Sequence, residues 1–323
     1  MRRSQIIGFG SYLPKKIVTN DDLAKKLNTS DDWIRQRTGI EQRHIAADDE
    51  LTSDIATNAA RTALKDAGLE ADAVDLIILA TATPDNTFPA TATRVQSNLG
   101  VRRGAAFDVQ AVCAGYVYAL AMADNMIRLS QAETAVVIGA EVFSRILDWD
   151  DRGTCVLFGD GAGACVLRGA EVAGTNADTG ILSTHIHSDG DYYDMLYVDG
   201  GPSTTGTSGY LRMEGKEVFR HAVQRMSEVV TAALDHNDLS VDQLDWLIPH
   251  QANKRIMDSI AKKLTLPEDK IVVTVDRQAN TSAATIPLAL AEARTDGRLQ
   301  PGQLVALTAL GGGFAWGSAL LRL

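Results

Sequence analysis

The chain has 323 residues, 45% of them hydrophobic, 22% charged and 6% aromatic, enough for one large or two tightly packed domains with a real core. A net charge of −10 argues against nucleic acid as the main partner, and no apolar run is long enough to cross a bilayer. Cys113, Cys155 and Cys165 make neither a disulfide framework nor a zinc set, and MRRSQIIGFGSYLP lacks the apolar core and cleavage site of a signal peptide, so a reducing, cytoplasmic setting is expected.

Residues 5–12 read as a first strand. Asn20 or Asp21 caps a short helix to Leu27, and Ser30 caps DDWIRQRTG, which Gly39 ends. Thr52 or Ser53 opens a helix to about Ala67, with Gly68 as its stop. VDLIILATATPD is a continuous apolar run, the look of a strand buried on both faces. Thr91 to Leu99 reads as a helix, TAVVIGAEV as a strand, and Cys155 to Leu167 as a hairpin turning on GDGAG. The segment 188–212 is Gly/Ser/Thr-rich and aperiodic, a long loop, and a helix from Met213 to Asn237 follows it.

The second half repeats the first. A shift of about 170 residues lays VDLIILA on LDWLIPH, DVQAVC near VDRQAN and TAVVIGAEV on QLVALTALG. Two duplicated α/β halves related by a pseudo-twofold axis follow, 1–174 and 175–323, with the boundary near Ala173 to Gly180. In such sheets ligands bind beyond the carboxyl ends of strands, where Cys113, His250 and Asn280 are all expected.

DVQAVCAGYVYALAMADNMIRLS (108–130) is the central stretch: a short strand, then a helix apolar on every side and therefore buried. Cys113 falls at the junction, where the helix dipole favours the nucleophilic thiolate, although a free apolar cysteine is more often plain packing. Cys155 and Cys165 read as packing residues. A lone histidine placed like His250, between Pro249 and a helix, is more often structural than catalytic, and Asn280 could equally be a turn or helix N-cap residue. Gly311, Gly312 and Gly313 could bring backbone amides up to a substrate oxygen or simply turn the chain. GDGAGA leads into a strand-like run rather than a helix, a weak phosphate-loop signal, and His185 with His187 lack a third metal ligand.

GSYLP, SDDWIRQRTGI, FDVQAVCAGY, DRGTCVLFGDGAGA, WLIPHQAN, NTSAATIPLAL and GGGFAWGSAL together resemble the β-ketoacyl-acyl-carrier-protein synthase III family, end to end. The resemblance implies a thiolase-like, layered αβαβα fold, a homodimer, and an acyltransferase of fatty-acid biosynthesis. Its reaction joins a short acyl-CoA, taken as acetyl-CoA, to malonyl-acyl-carrier protein with loss of CO₂. Acyl-CoA is then a substrate and no cofactor is implied. Carried over residue by residue, Cys113 resembles the acyl-accepting nucleophile, with His250 and Asn280 as donors to the thioester oxygen that becomes an enolate. The Cys113 and Gly312 amides resemble the oxyanion hole. Trp33, Arg37 and Arg152 resemble the CoA contacts, and Gln251, Ala252, Asn253, Lys254 and Arg255 the carrier-docking segment. Lys262 and Lys263 extend that basic patch. Phe88 and Leu310 resemble acyl-pocket residues, Phe88 reaching across the dimer.

Two positions depart from the family pattern. Ala279 stands where many members have Gly, and Leu310 where Phe is frequent; both bear on acyl preference. The chain lacks the carboxyl-terminal cysteine of degradative thiolases and the second active-site histidine of elongating synthases. The enzymatic alternative is a priming ketosynthase or acyltransferase of a secondary-metabolite pathway. A non-catalytic carrier-binding scaffold would not need Cys113, His250, Asn280, Trp33 and Arg37 together.

Overall fold

A computed structural model describes residues 1–323. In chain order the strands are β1 (Arg2–Tyr12), β2 (Lys16–Thr19), β3 (Gln42–Ile45), β4 (Leu76–Ala80), β5 (Ala105–Val109), β6 (Thr134–Glu141), β7 (Gly161–Glu171), β8 (Gly180–Ser188), β9 (Leu196–Val198), β10 (Leu211–Met213), β11 (Trp246–Pro249), β12 (Leu304–Gly311) and β13 (Ala315–Arg322). The helices are α1 (Asn20–Ala24), α2 (Asp31–Thr38), α3 (Thr52–Asp66), α4 (Thr91–Leu99), α5 (Gly115–Arg128), α6 (Gly215–His236), α7 (Lys254–Leu264), α8 (Val275–Gln278) and α9 (Thr285–Thr295).

Two sheets carry the fold. The first has the order β1-β7-β6-β4-β5 and the second β8-β13-β12-β11, the same order without a counterpart of β5. In each, the two strands from the VDLIILA-type and TAVVIGAEV-type runs pair in parallel; β5 also pairs parallel with β4, and the remaining pairs are antiparallel. Equivalent contacts recur too: Asp75 accepts from the Thr134 amide at 3.0 Å, and Asp245 from the Leu304 amide at 2.7 Å. All five residues of β4 and all eight of β6 are buried, as the unbroken apolar runs require.

Helices α5 and α9 lie between the sheets, α5 touching strands of both. Helix α3 covers the outer face of the first sheet and α6 that of the second. Three apolar cores fill the spaces, one between the sheets and one under each outer helix, which makes five αβαβα layers. Helix α9 can lie close because β7 presents glycine there: a Cβ on Gly163 would come 2.5 Å from the Leu288 amide nitrogen.

That same packing corrects the hairpin expected over 155–167. Gly161 and Gly163 lie inside the single strand β7, paired on both sides, while Gly159 precedes it and 152–157 is a run of turns. The 188–212 segment is not featureless either, since it contains β9 and β10 paired as a small ribbon. The first short helix is capped by Thr19, not by Asn20 or Asp21, because Thr19 and Asp22 close a reciprocal capping box. Finally, the repeat relating 108–113 to 275–280 joins unlike structures: β5 and a turn in one half, the one-turn helix α8 in the other. Asn280 therefore follows a helix rather than a strand.

Candidate active site

Between β5 and α5 the chain makes a 3₁₀ turn, Val112–Ala114, with Cys113 at its middle. Val112 has φ +47°, a left-handed conformation that β-branched residues avoid, and such elbows are kept where a side chain must be aimed. Cys113 is buried and its Sγ donates to Ser282 Oγ at 3.6 Å. Burial pushes the thiol up to about 12, with Glu141 adding to the rise. The expectation of a resting thiolate is thus corrected: desolvation is the largest influence on the sulfur, and it rests as a thiol.

His250 stands one residue past β11, its amide donating to Thr308 O at 2.8 Å on the neighbouring strand β12. Burial alone lowers it to about 3, so the imidazole is neutral. Its Nδ1 lies 2.7 Å from Thr285 Oγ1, which also reaches Ser282 O at 3.0 Å. The hydroxyl has one hydrogen for two acceptors. Directed to Nδ1 it leaves the imidazole proton on Nε2, the donor form; directed to Ser282 O it gives the acceptor form.

Asn280 is pinned on both sides, its amide donating to Leu157 O at 3.0 Å and its carbonyl accepting from Gly159 at 3.1 Å. The Ser282 amide donates to Oδ1 at 2.9 Å, which leaves the Nδ2 end as the free donor. Ala279 before it is fully buried with φ +59° and ψ −167°, a region that suits glycine. Ser282 thus touches Cys113 and Asn280, and Thr285 ties the same turn to His250, so the three candidates form one buried cluster.

The glycine run closes it. A Cβ on Gly311 would come 2.7 Å from the Cys113 amide nitrogen, so the end of β12 backs directly onto the cysteine turn. Gly312 instead packs against Leu196 O. Neither the Cys113 nor the Gly312 amide donates to an acceptor within the protein. Leu310 is buried beside Leu196 and Phe314 in the outer core of the second sheet.

At the surface, Ser30 caps α2 through the Trp33 amide at 3.1 Å. The Arg37 and Arg152 guanidinium groups lie over the Trp33 ring at 4.5 and 4.8 Å, so residues far apart in sequence form one cationic-aromatic patch. In the 251–255 segment, Gln251 is corrected as a docking residue. It is fully buried, donating to Pro249 O and Val272 O and accepting from the Thr274 and Val275 amides, so no face is left for a partner. Asn253 caps α7 through the Ile256 amide at 3.0 Å, Ala252 is half-buried, and Lys254 pairs with Asp258 at 2.5 Å. Arg255, Lys262 and Lys263 are exposed. Phe88 is 83% exposed, the most exposed large apolar side chain of the chain. His185 packs edge-on against His236, and His187 stacks on Trp316.

Sequence reading did not single out Ser282, Thr285 or Glu141. Glu141 had a visible signal, the lone charge in the otherwise apolar TAVVIGAEV; Ser282 and Thr285, in NTSAAT, had none.

The site can be set beside known proteins. Two family models match: 3-oxoacyl-[acyl-carrier-protein (ACP)] synthase III over residues 107–190 and its C-terminal counterpart over 234–323. The β-ketoacyl-[acyl-carrier-protein] synthase III of Paramagnetospirillum magneticum is 66% identical over 321 residues, 99% of each chain. The chain belongs to the β-ketoacyl-acyl-carrier-protein synthase III family. Its backbone is similar to the solved 3-oxoacyl-[acyl-carrier-protein] synthase III of Aquifex aeolicus, with a TM-score of 0.94 and 45% identity over 99% of this chain and 100% of that one. A priming β-ketosynthase of a polyketide pathway has the same fold at a TM-score of 0.93, covering 100% of this chain and 96% of that one, but only 31% identity. The fold is therefore shared by both groups, and the identities favour the synthase over the priming ketosynthase. No helix is long and apolar enough to cross a membrane.

Proposed function

We propose that the chain joins the acyl group of a short acyl-CoA, acetyl-CoA first, to malonyl-acyl-carrier protein with loss of CO₂, giving a 3-oxoacyl-acyl-carrier protein. The observation that carries this reading is the single buried cluster of Cys113, His250 and Asn280 in a chain of this family. Cys113 takes the acyl group, dividing one condensation into two easier steps. The Asn280 Nδ2 and the His250 Nε2, in its donor form, stabilise the thioester oxygen as malonyl loses CO₂ and becomes an enolate. The Cys113 and Gly312 amides receive the oxyanion on the acyl-enzyme side, where losing one such donor costs roughly a hundred- to a thousandfold.

The Trp33, Arg37 and Arg152 patch suits a planar base beside phosphates, and so CoA. Arg255, with Lys262 and Lys263 further along α7, suits an acidic carrier through steering; Lys254, Ala252 and Asn253 flank it. Phe88 reaches into the acyl pocket of a second copy, which supports a homodimer and accounts for its exposure. The halves 1–174 and 175–323 then supply the nucleophile and the His–Asn pair respectively, with no cofactor.

Intact-protein mass measurement after mixing with acetyl-CoA and longer or branched acyl-CoAs tests the reading. One acyl group on wild type, none on Cys113→Ala, and discharge of the acyl group by malonyl-carrier protein are expected. Failure of every CoA ester to load Cys113 would overturn it.

A further inference from the structure

Glu141 ends β6 and is fully buried, the one charged residue of that strand. Oε2 accepts from the Thr83 hydroxyl at 2.7 Å, the Ala82 amide at 3.0 Å and the Thr81 hydroxyl at 3.2 Å. Oε1 has no formed hydrogen bond although it is sealed from water. An unpartnered carboxylate oxygen in an apolar interior is costly and calls for a reason. Glu141 projects from the same face of β6 as Gly139, where a Cβ would come 2.3 Å from Ala283 O, so its remaining side faces the 282–284 turn. Burial raises the carboxyl to about 7, and the nearby Ser282 hydroxyl and Ala283 amide act against that rise without forming a hydrogen bond to it. Ser282 is also the residue whose hydroxyl accepts from the Cys113 thiol. Sulfur, hydroxyl and carboxylate therefore stand in series, and the hydroxyl that accepts from Sγ keeps its own hydrogen to give to Glu141.

We propose that Glu141, acting through Ser282, takes the Cys113 proton during acylation and returns it when the condensed product leaves. The need is set by the site itself. The thiol is un-ionised at rest, and His250 in the donor form used above carries its proton on Nε2 with Nδ1 held by Thr285, so neither ring nitrogen is free to take another. In the first step the Sγ–acyl bond forms and the acyl–CoA sulfur bond breaks. The Sγ proton passes to Ser282 Oγ as the Ser282 proton passes to Glu141, and CoA departs as the thiolate, which is protonated by water. In the second step the enolate carbon bonds to the acyl carbon and the acyl–Sγ bond breaks. Ser282 reprotonates Sγ, Glu141 reprotonates Ser282, and the carboxylate is restored. One proton is consumed overall, by the CoA thiolate, as the balance of the reaction requires. Glu141 never touches the sulfur, so its role is felt only through Ser282.

The inference rests on the condensing-enzyme reading above, and one experiment separates the two. Single-turnover loading of acetyl-CoA is followed by quench and intact mass for wild type, Glu141→Gln, Glu141→Ala and Ser282→Ala, with the unfolding midpoint of each. Glu141→Gln keeps the size and an oxygen for Thr81, Ala82 and Thr83 but cannot take a proton. The expected result is that Gln restores the stability lost in Ala while loading stays slowed by about a hundredfold, in the range of general base catalysis. Ser282→Ala, which leaves the carboxylate in place, is expected to slow loading to the same extent. Wild-type rates in a folded Glu141→Gln would overturn the relay and leave the condensing reading intact. If Glu141→Gln does not fold, wild-type loading by Ser282→Ala overturns the relay instead. A wild type that no acyl-CoA loads would overturn both.

Discussion

Replacing Gly311 by alanine should damage the nucleophile without touching any side chain that takes part in the chemistry. The new Cβ would come 2.7 Å from the Cys113 nitrogen, 2.9 Å from Ala111 O and 3.1 Å from the Ala114 nitrogen. All three are backbone atoms, so no rotamer change can relieve the clash. Ordinary contact begins near ~3.4 Å, so the cysteine turn must retreat by about 0.7 Å or β12 must give way, at a cost of about 1–3 kcal/mol for overpacking. The turn is held from below by Ser282 at 3.6 Å, and its own amide is the proposed oxyanion donor. A displacement of that size in a reacting group costs roughly up to a hundredfold in rate. Quench-flow loading of acetyl-CoA measured by mass, with urea unfolding of the same samples, gives both numbers. Gly190→Ala is the control, because a Cβ there meets nothing within 4 Å and its φ is ordinary. Loading by Gly311→Ala within threefold of wild type, at an unchanged midpoint, would refute the view that this close approach fixes Cys113.

Thr285→Val removes the side-chain partner of His250 Nδ1; it should cost about 1–3 kcal/mol through the unpaired nitrogen and slow condensation with malonyl-carrier protein more than loading. Ala279→Gly relieves backbone strain of roughly 1–3 kcal/mol, while losing about 0.8 kcal/mol of methyl burial and roughly 0.4–1 kcal/mol of chain entropy. The terms nearly cancel, so urea unfolding should give a midpoint close to wild type, which is why this chain tolerates alanine there. His250 has its folded pKa depressed to about 3, so the stability it permits is present above its unfolded pKa and is lost as pH falls through that window. Relative to His250→Gln, wild type should lose roughly 2 kcal/mol between pH 6.5 and pH 5 in urea titrations. Trp33→Ala removes the surface beneath both arginines and should raise KM for acetyl-CoA about five- to thirtyfold, at 0.5–1 kcal/mol for each stacked cation, with kcat little changed.

What could be read from the chain, and what could not, divides along one physical line. Features set by local pattern were legible: the apolar runs of β4 and β6, the Ser30 cap, the Gly39 stop and the Thr91–Leu99 helix all stand as read. The duplication was legible for the same reason, since each half must bury its own strands. Features set by tertiary contact were not. GDGAG reads as a turn because glycine usually breaks strands, but Gly163 is in β7 so that α9 can approach. The family resemblance puts Gln251 in the carrier-docking segment, yet its four hydrogen bonds place it inside. Cys113 reads as a thiolate from its helix start, and burial reverses the sign.

The duplication also explains how two similar halves produce one asymmetric site. Each half has a 3₁₀ turn before its central helix, Val112–Ala114 and Ser282–Ala284, offset by 170 residues, and each turn carries one residue at positive φ, Val112 at +47° and Ser282 at +51°. Each turn also meets the end of a strand from the opposite half, Gly311 against the cysteine turn and Glu141 against the serine turn. Gly311 and Glu141 are themselves offset by 170, as are Cys113 and Ala283. The backbone geometry is thus the same at both places, and only the side chains differ. Where the turn bears a reactive sulfur, the strand end is glycine, leaving space and free amides. Where the turn bears inert alanine, the strand end is a carboxylate. Because Ser282 leans from the second turn to Cys113 in the first, a pair of structurally equivalent corners holds the nucleophile on one side and its proposed proton acceptor on the other.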